Sequence, residues 1–128
     1  MKLTNLGLLI LRVGFGLMML FGHGLGKLSN FAEYSAKFPA LMGMPPKLAL
    51  SVAVFTEFFC ALFVVIGLFT KWSAGLIAIT MAVAAFMVHA ADPFATKELA
   101  LVYFVAFSAI ALLGPGALSV EAKKNTGW

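Results

Sequence analysis

The chain has 128 residues, of which 62% are hydrophobic and only 11% are charged. Soluble domains carry about 25% charged residues, and a chain this short has too little interior to hide so much apolar surface, so the composition excludes an ordinary soluble domain. The formal net charge of +4 does not indicate a nucleic-acid partner, because the lysines lie at the ends of apolar runs, where they suit lipid headgroups.

Four apolar runs predict four transmembrane helices in a single domain over residues 1–128. Each run is close to the roughly 20 residues that cross ~30 Å of hydrocarbon, and lipid leaves open backbone groups unsatisfied, which favours helices. The predicted helices cover residues of about 6–26, 48–69, 72–91 and 97–113. The predicted fold class is therefore all-α, an integral membrane four-helix bundle in contact with the lipid bilayer.

The first connection is the longest and carries a helical pattern of its own. Phe31, Tyr34, Phe38 and Leu41 recur at helical spacing, which predicts an interfacial helix at about residues 30–38. An ordered loop that packs on the mouth of the bundle is the alternative.

The remaining connections are short. A tight turn at residues 70–72 makes the second and third helices antiparallel neighbours, and Asp92 before Pro93 ends the third helix because a residue before proline avoids helical geometry. Four crossings place both termini on one side of the membrane. The lysines divide equally between the two faces, four on each, and therefore give no orientation.

Ionisable residues inside a membrane are costly, which makes them the first candidates for a function. Arg12 and His23 differ by only about 20° around the first helix, which predicts a polar face toward the bundle, with Lys27 close to it. The alternative is that Arg12 extends to the nearby interface. Glu57 lies ~12 Å deep in the second helix and is predicted to face Arg12. It could serve as a proton-accepting or ligand-holding carboxylate, or as half of a structural ion pair.

Helix counting also gathers polar residues near one membrane surface, above Glu57. We predict a cavity there, lined by His23, Glu57, His89 and Glu98, which with Arg12 make up the predicted polar intramembrane site. The alternatives are that both histidines only bond to backbone at helix ends, and that Glu98 only interacts with a helix dipole. No metal site is predicted, because the histidines lack a spacing such as H-x-x-x-H.

The sequence resembles the DoxX family of bacterial and archaeal membrane proteins from Leu11 to about Glu121. The resemblance rests on Arg12-Val13-Gly14 with Phe21-Gly22-His23-Gly24 and Lys27-Leu28, on Glu57 followed by Ile66-Gly67-Leu68-Phe69-Thr70, on Met81 through His89, and on Glu98 and Tyr103 followed by Gly114-Pro115-Gly116 and Ser119-Val120-Glu121. Family members often have Asp where Glu121 stands. The resemblance implies an inner-membrane (plasma-membrane) protein with both termini in the cytoplasm.

Characterised DoxX relatives include a subunit associated with thiosulfate:quinone oxidoreduction and proteins of oxidative-stress complexes, whereas many members have no established activity. The resemblance therefore implies a redox-associated subunit, with quinone as the candidate cofactor. Any enzymatic role would be that of a quinone-linked oxidoreductase subunit. No flavin, haem or dithiol motif is present and Cys60 is the one cysteine, so we expect a soluble or membrane-bound oxidoreductase partner. The alternative is a non-enzymatic carrier, or a scaffold for such a partner; a homo-oligomer stays open.

Overall fold

The computed structural model describes residues 2–125. Met1 and residues 126–128, the two ends of the predicted domain, lie outside the described residues. Four helices in the described part are long and apolar enough to cross a membrane, and two shorter helices accompany them. In chain order they are α1 (Leu3–Ser29), α2 (Phe31–Lys37), α3 (Pro46–Ile66), α4 (Thr70–Val88), α5 (Phe94–Leu113) and α6 (Val120–Asn125). Residues 2–125 contain no strand, and the predicted all-α membrane bundle is confirmed.

Three of the four membrane helices contain a wide π-helical turn. These turns span Leu20–Gly24 in α1, Phe55–Cys60 in α3 and Ala84–Val88 in α4. Each one places an extra residue in a turn, so side chains beyond it face a different direction from the one that α-helical counting predicts. Single π-helical turns within α-helices are frequent at functional sites, and here all three lie beside the same cavity.

The turn between α3 and α4 lies at residues 67–69 instead of the predicted 70–72, because Gly67 ends α3. Gly67 adopts a left-handed conformation with φ of +77°, and its N–H and that of Leu68 bond back to carbonyls of the last turn. This is the Schellman arrangement, which favours glycine. Thr70 is therefore the first residue of α4.

Among the other helix ends that differ from the predicted ones, two lie at the connection between α4 and α5. Helix α4 gives way to a turn after Val88 instead of continuing to residue 91, and α5 begins at Phe94 instead of 97 because Pro93 is its N-cap residue. The first connection contains both a short helix, α2, and an ordered turn in which Leu41 and Met44 exchange two backbone hydrogen bonds.

The bundle has a packed interior and an apolar exterior. Met19, Val64, Ile77, Phe107 and Ile110 are fully buried where α1, α3, α4 and α5 meet. Many large apolar side chains point away from the bundle, with Trp72, Val105 and Leu112 among the most exposed. A bilayer removes these side chains from water, so the bundle needs no second protein layer to cover them.

A candidate ligand cavity inside the bundle

A cavity of about 340 Å³ lies among α1, α3, α4 and α5. The segment after α2 forms one wall through Phe38, Pro39, Leu41, Met42 and Met44. Most of the lining is apolar, and the polar side chains that reach it are His23, Lys27, Glu57, Thr80, His89, Thr96 and Tyr103. An apolar cavity with a few polar groups is the usual form of a small-molecule site, and its size falls within the usual range.

The buried carboxylate of Glu57 forms an ion pair with Lys27. Lys27 Nζ lies 2.5 Å from Glu57 Oε1, and the side chains are 18% and 3% exposed respectively. The predicted partner was Arg12, and that prediction is wrong. Helix counting places Lys27 close to the polar face of α1. The sequence gives only two signals that Lys27 reaches Glu57, its long side chain and its position one helical turn after His23.

A close approach of two backbones holds this ion pair in position. Gly24 lies in the wide turn of α1, and a Cβ atom there would collide with the backbone of Glu57 and Phe58 in the wide turn of α3. Gly24 is buried in a helical conformation. Glycine is therefore required by the contact between α1 and α3 and not by its φ angle, and this contact brings Lys27 within reach of Glu57.

His23 and Thr80 form the sides of the cavity. The His23 ring packs edge-on against Tyr103 of α5, with ring centres 5.3 Å apart at 88°. Thr80 of α4 donates to Thr56 Oγ1 of α3 at 3.0 Å, and Thr56 in turn donates to the Ala53 carbonyl. These contacts fasten the helices around the cavity and satisfy hydroxyl groups in an apolar interior.

His89 lies where the cavity meets the end of α4. It lines the cavity, and its Nδ1 atom lies 2.8 Å from Asp92 Oδ2. The two side chains are 38% and 45% exposed. The sequence identifies Asp92 only as the end of a helix before Pro93, because nothing in it distinguishes a carboxylate that orients a histidine from an ordinary turn residue.

Arg12 is buried, as the inward interpretation predicted, but it does not reach the cavity. It is 1% exposed, and its guanidinium donates to the carbonyls of Val64 at 3.2 Å, Val65 at 3.1 Å and Leu118. Val64 and Val65 belong to the last turn of α3, whose carbonyls lack partners within the helix and attract a cation. Arg12 therefore fastens α1 to the end of α3 and to the segment after α5.

Glu98 is also separate from the cavity. It is exposed in the first turns of α5 and is not a lining residue, whereas Thr96 and Leu99 on either side of it are. The structure thus brings together His23, Glu57 and His89 of the five predicted residues, adds Lys27, and leaves Arg12 and Glu98 elsewhere. Among the described residues, no group of three or more His, Cys, Asp or Glu side chains could hold a metal ion.

Comparison with known proteins gives one match. The DoxX family model matches residues 7–90, a segment that contains His23, Lys27, Glu57 and His89 and ends before Asp92. Comparisons with curated proteins and with solved structures find no match.

Proposed function

The chain belongs to the DoxX family of membrane proteins, whose model covers more than half of its length, and we propose that its cavity binds the head group of a quinone. The observation that carries the proposal is the combination of apolar walls with the Lys27–Glu57 pair and His89. A quinone ring is flat and apolar, and its two carbonyl oxygens accept hydrogen bonds. Such a ring suits apolar walls, and its oxygens need donors of the kind that Lys27, His89 and Tyr103 carry.

The cavity also offers a route to the lipid phase. Val52, Ile79, Val88 and Leu99 line it, and each is at least 40% exposed on a bundle whose exterior is apolar. A ligand dissolved in the bilayer could enter between these side chains with its head group first. Its isoprenoid tail would then remain among the lipid chains, so the 340 Å³ cavity needs to hold only the ring.

In this proposal the chain is the membrane subunit of a redox system. A bound quinone would accept two electrons and two protons, and the electrons would come from an oxidoreductase partner. The chain itself holds the ring between apolar walls, presents Lys27 as a donor that Glu57 keeps in place, and provides His89 as a proton-exchanging group at the aqueous end. On the family resemblance, we further propose that the protein lies in the inner membrane with both termini in the cytoplasm.

The test is quinone binding by the purified protein in nanodiscs. Decylubiquinone should bind at one molecule per chain, and Ala100→Phe, which fills the cavity from α5, should abolish binding. Leu112→Phe is the matched control, because Leu112 is on the same helix and is 82% exposed. The alternative is a carrier or a scaffold. Absence of quinone binding, with solute or proton flux in vesicles or a co-purifying soluble oxidoreductase, would favour that alternative and overturn the proposal.

A further inference from the structure

We propose that the His89–Asp92 pair is the proton connection between the cavity and the aqueous surface, with His89 contacting the ligand oxygen and Asp92 positioning the His89 ring. This inference rests on the proposed function, because it assumes a quinone in the cavity. It extends that function by naming the residue that contacts the ligand oxygen and the side of the protein from which protons arrive.

The position of His89 supports the connection. The side chain lines the cavity and is also 38% exposed, and it follows the last residue of the membrane helix α4. We therefore infer that the imidazole ring borders both the cavity and the aqueous surface. Its Nδ1 atom is engaged by Asp92 at 2.8 Å. A carboxylate accepts hydrogen bonds only, so this contact places a proton on Nδ1 and leaves Nε2 as the nitrogen that can interact with a ligand.

The backbone around the pair is held from both sides. The His89 N–H donates to the Ala84 carbonyl at 3.0 Å, which closes the wide turn of α4, and the Asp92 N–H donates to the His89 carbonyl at 3.0 Å. Lys97 of α5 donates to the Ala90 carbonyl at 3.1 Å. The turn that carries the pair is thus fastened to both helices that it connects, which limits the movement of the ring relative to the cavity.

The chemistry follows from the two charge states of the ring. An imidazolium donates an N–H from Nε2 and suits the carbonyl oxygen of a quinone, whereas a neutral ring accepts at Nε2 and suits the hydroxyl of a quinol. If an oxidoreductase partner reduced a bound quinone, His89 would pass its Nε2 proton to the reduced oxygen and become neutral. Water would then return a proton to Nε2, because Nδ1 already carries the proton that it donates to Asp92. His89 would thus supply one of the two protons of the quinol.

Other ionisable side chains face the cavity from the surrounding helices. They are His23 and Lys27 of α1, Glu57 of α3, and Tyr103 of α5, with Lys97 of α5 beside the turn. Lys27 and Glu57 neutralise each other, and Lys97 is bound to a carbonyl of the turn. His23 is therefore the one other lining residue whose type changes charge near neutral pH, which makes it the control.

The experiment compares the binding of decylubiquinone and of its quinol to the full chain in nanodiscs between about pH 5 and 8. As pH rises, we expect quinone affinity to fall and quinol affinity to rise, so that the ratio of the two dissociation constants changes about tenfold, the effect of one hydrogen bond to a charged group. His89→Gln should bind both ligands without opposite pH trends, because an amide donates and accepts but does not titrate here. His23→Gln alters the cavity lining and should change both affinities, but the opposite pH trends should remain. Glu98→Gln, at an exposed residue outside the cavity, should leave affinities and trends unchanged.

Asp92 is a positioning residue, and its variants test that role separately. The amide of Asp92→Asn can donate to Nδ1 and so favours the tautomer with a proton on Nε2, which should remove the preference for quinol at high pH. Asp92→Glu restores an acceptor and should recover part of that preference.

The outcomes separate the two proposals. If neither ligand binds, the proposed function fails and the inference fails with it. If both bind but the wild type and His89→Gln share one pH profile, only the His89–Asp92 inference is overturned.

Discussion

Lys27 holds the buried carboxylate of Glu57 at 2.5 Å, although Arg12 is the more deeply buried cation of the same helix. The reason is that Arg12 and Glu57 lie at different depths in the bundle. Arg12 bonds to Val64 and Val65, and Val65 lies eight residues, or ~12 Å, beyond Glu57 along α3. Within residues 2–125 these contacts therefore form two separate polar sites at opposite ends of the bundle, one at the cavity and one at the end of α3.

The Lys27–Glu57 pair should dominate stability at the cavity end. Lys27→Met leaves a buried, uncompensated carboxylate and should lower the free energy of unfolding in detergent by about 3 kcal/mol. Glu57→Gln should cost about 1 kcal/mol, because Lys27 is partly exposed and can turn toward water. The double variant should cost less than the sum of the two. In a second double-mutant cycle, the stability losses of Arg12→Ala and Glu57→Ala should add. A double variant whose loss differs from their sum would contradict the separation of the two sites.

Arg12 should control the docking of the C-terminal segment, residues 114–123. Its guanidinium bonds to Leu118, and nearby the Glu121 N–H donates to the Gly67 carbonyl at 3.0 Å while Glu121 Oε1 accepts from the Thr70 N–H at 2.9 Å. Arg12→Lys keeps the charge but lacks the planar fork of donors that reaches three carbonyls. We expect a loss of about 2 kcal/mol and faster proteolysis within the segment.

The control for this prediction is Lys47→Met, which removes an exposed lysine at the start of α3, away from the segment. It should leave both stability and proteolysis unchanged. Equal proteolysis of Arg12→Lys and the wild type would show that the segment docks without Arg12.

A side chain should not be tolerated at Gly24, whereas a side chain at Gly22 should be. A Cβ at Gly24 would collide with the backbone of Glu57, but one at Gly22 would meet nothing within 4 Å. Gly24→Ala should force α1 away from α3 and cost about 1–3 kcal/mol. Gly22→Ala should be neutral or slightly stabilising, because alanine has the higher helix propensity. Thermal unfolding in detergent measures both, and equal values would argue against the backbone contact.

The number and apolar character of the helices could be predicted from the sequence, because hydropathy depends only on composition over about 20 residues. Which side chains share a face could not, because counting at 100° per residue assumes an uninterrupted α-helix. The wide turn at Leu20–Gly24 breaks that assumption between Arg12 and His23. The exposure of Glu98 could not be predicted for a related reason. Counting residues along a helix gives the depth of a residue in the membrane but not the direction in which its side chain points.

The orientation in the membrane needs its own measurement. Residue Lys37 ends α2 and Lys123 lies beyond the fourth crossing, so reporters fused after them should report opposite sides. We expect the reporter after Lys123 on the cytoplasmic side, as the family resemblance implies. A cytoplasmic signal at Lys37 alone would reverse the orientation, and signals from both positions on the same side would contradict four crossings.

Gly67 should be the least replaceable glycine of the turns. Its φ of +77° is close to the +79° of Gly43, so replacing either with alanine incurs the same left-handed penalty of roughly 1–2 kcal/mol. The surroundings differ. A Cβ at Gly43 meets open space, whereas one at Gly67 would collide with Ser119 and with the guanidinium of Arg12.

Gly43→Ala therefore measures the backbone penalty alone, and Gly67→Ala measures that penalty together with displacement of the C-terminal segment. We expect Gly67→Ala to lose at least 1 kcal/mol more than Gly43→Ala and to show a similar increase in proteolysis to Arg12→Lys, because both disturb the contacts between the Arg12 guanidinium and the C-terminal segment. Combining Gly67→Ala with Arg12→Lys should then add little further loss. A fully additive combination would mean that Gly67 acts only by ending α3, independently of the segment that Arg12 holds.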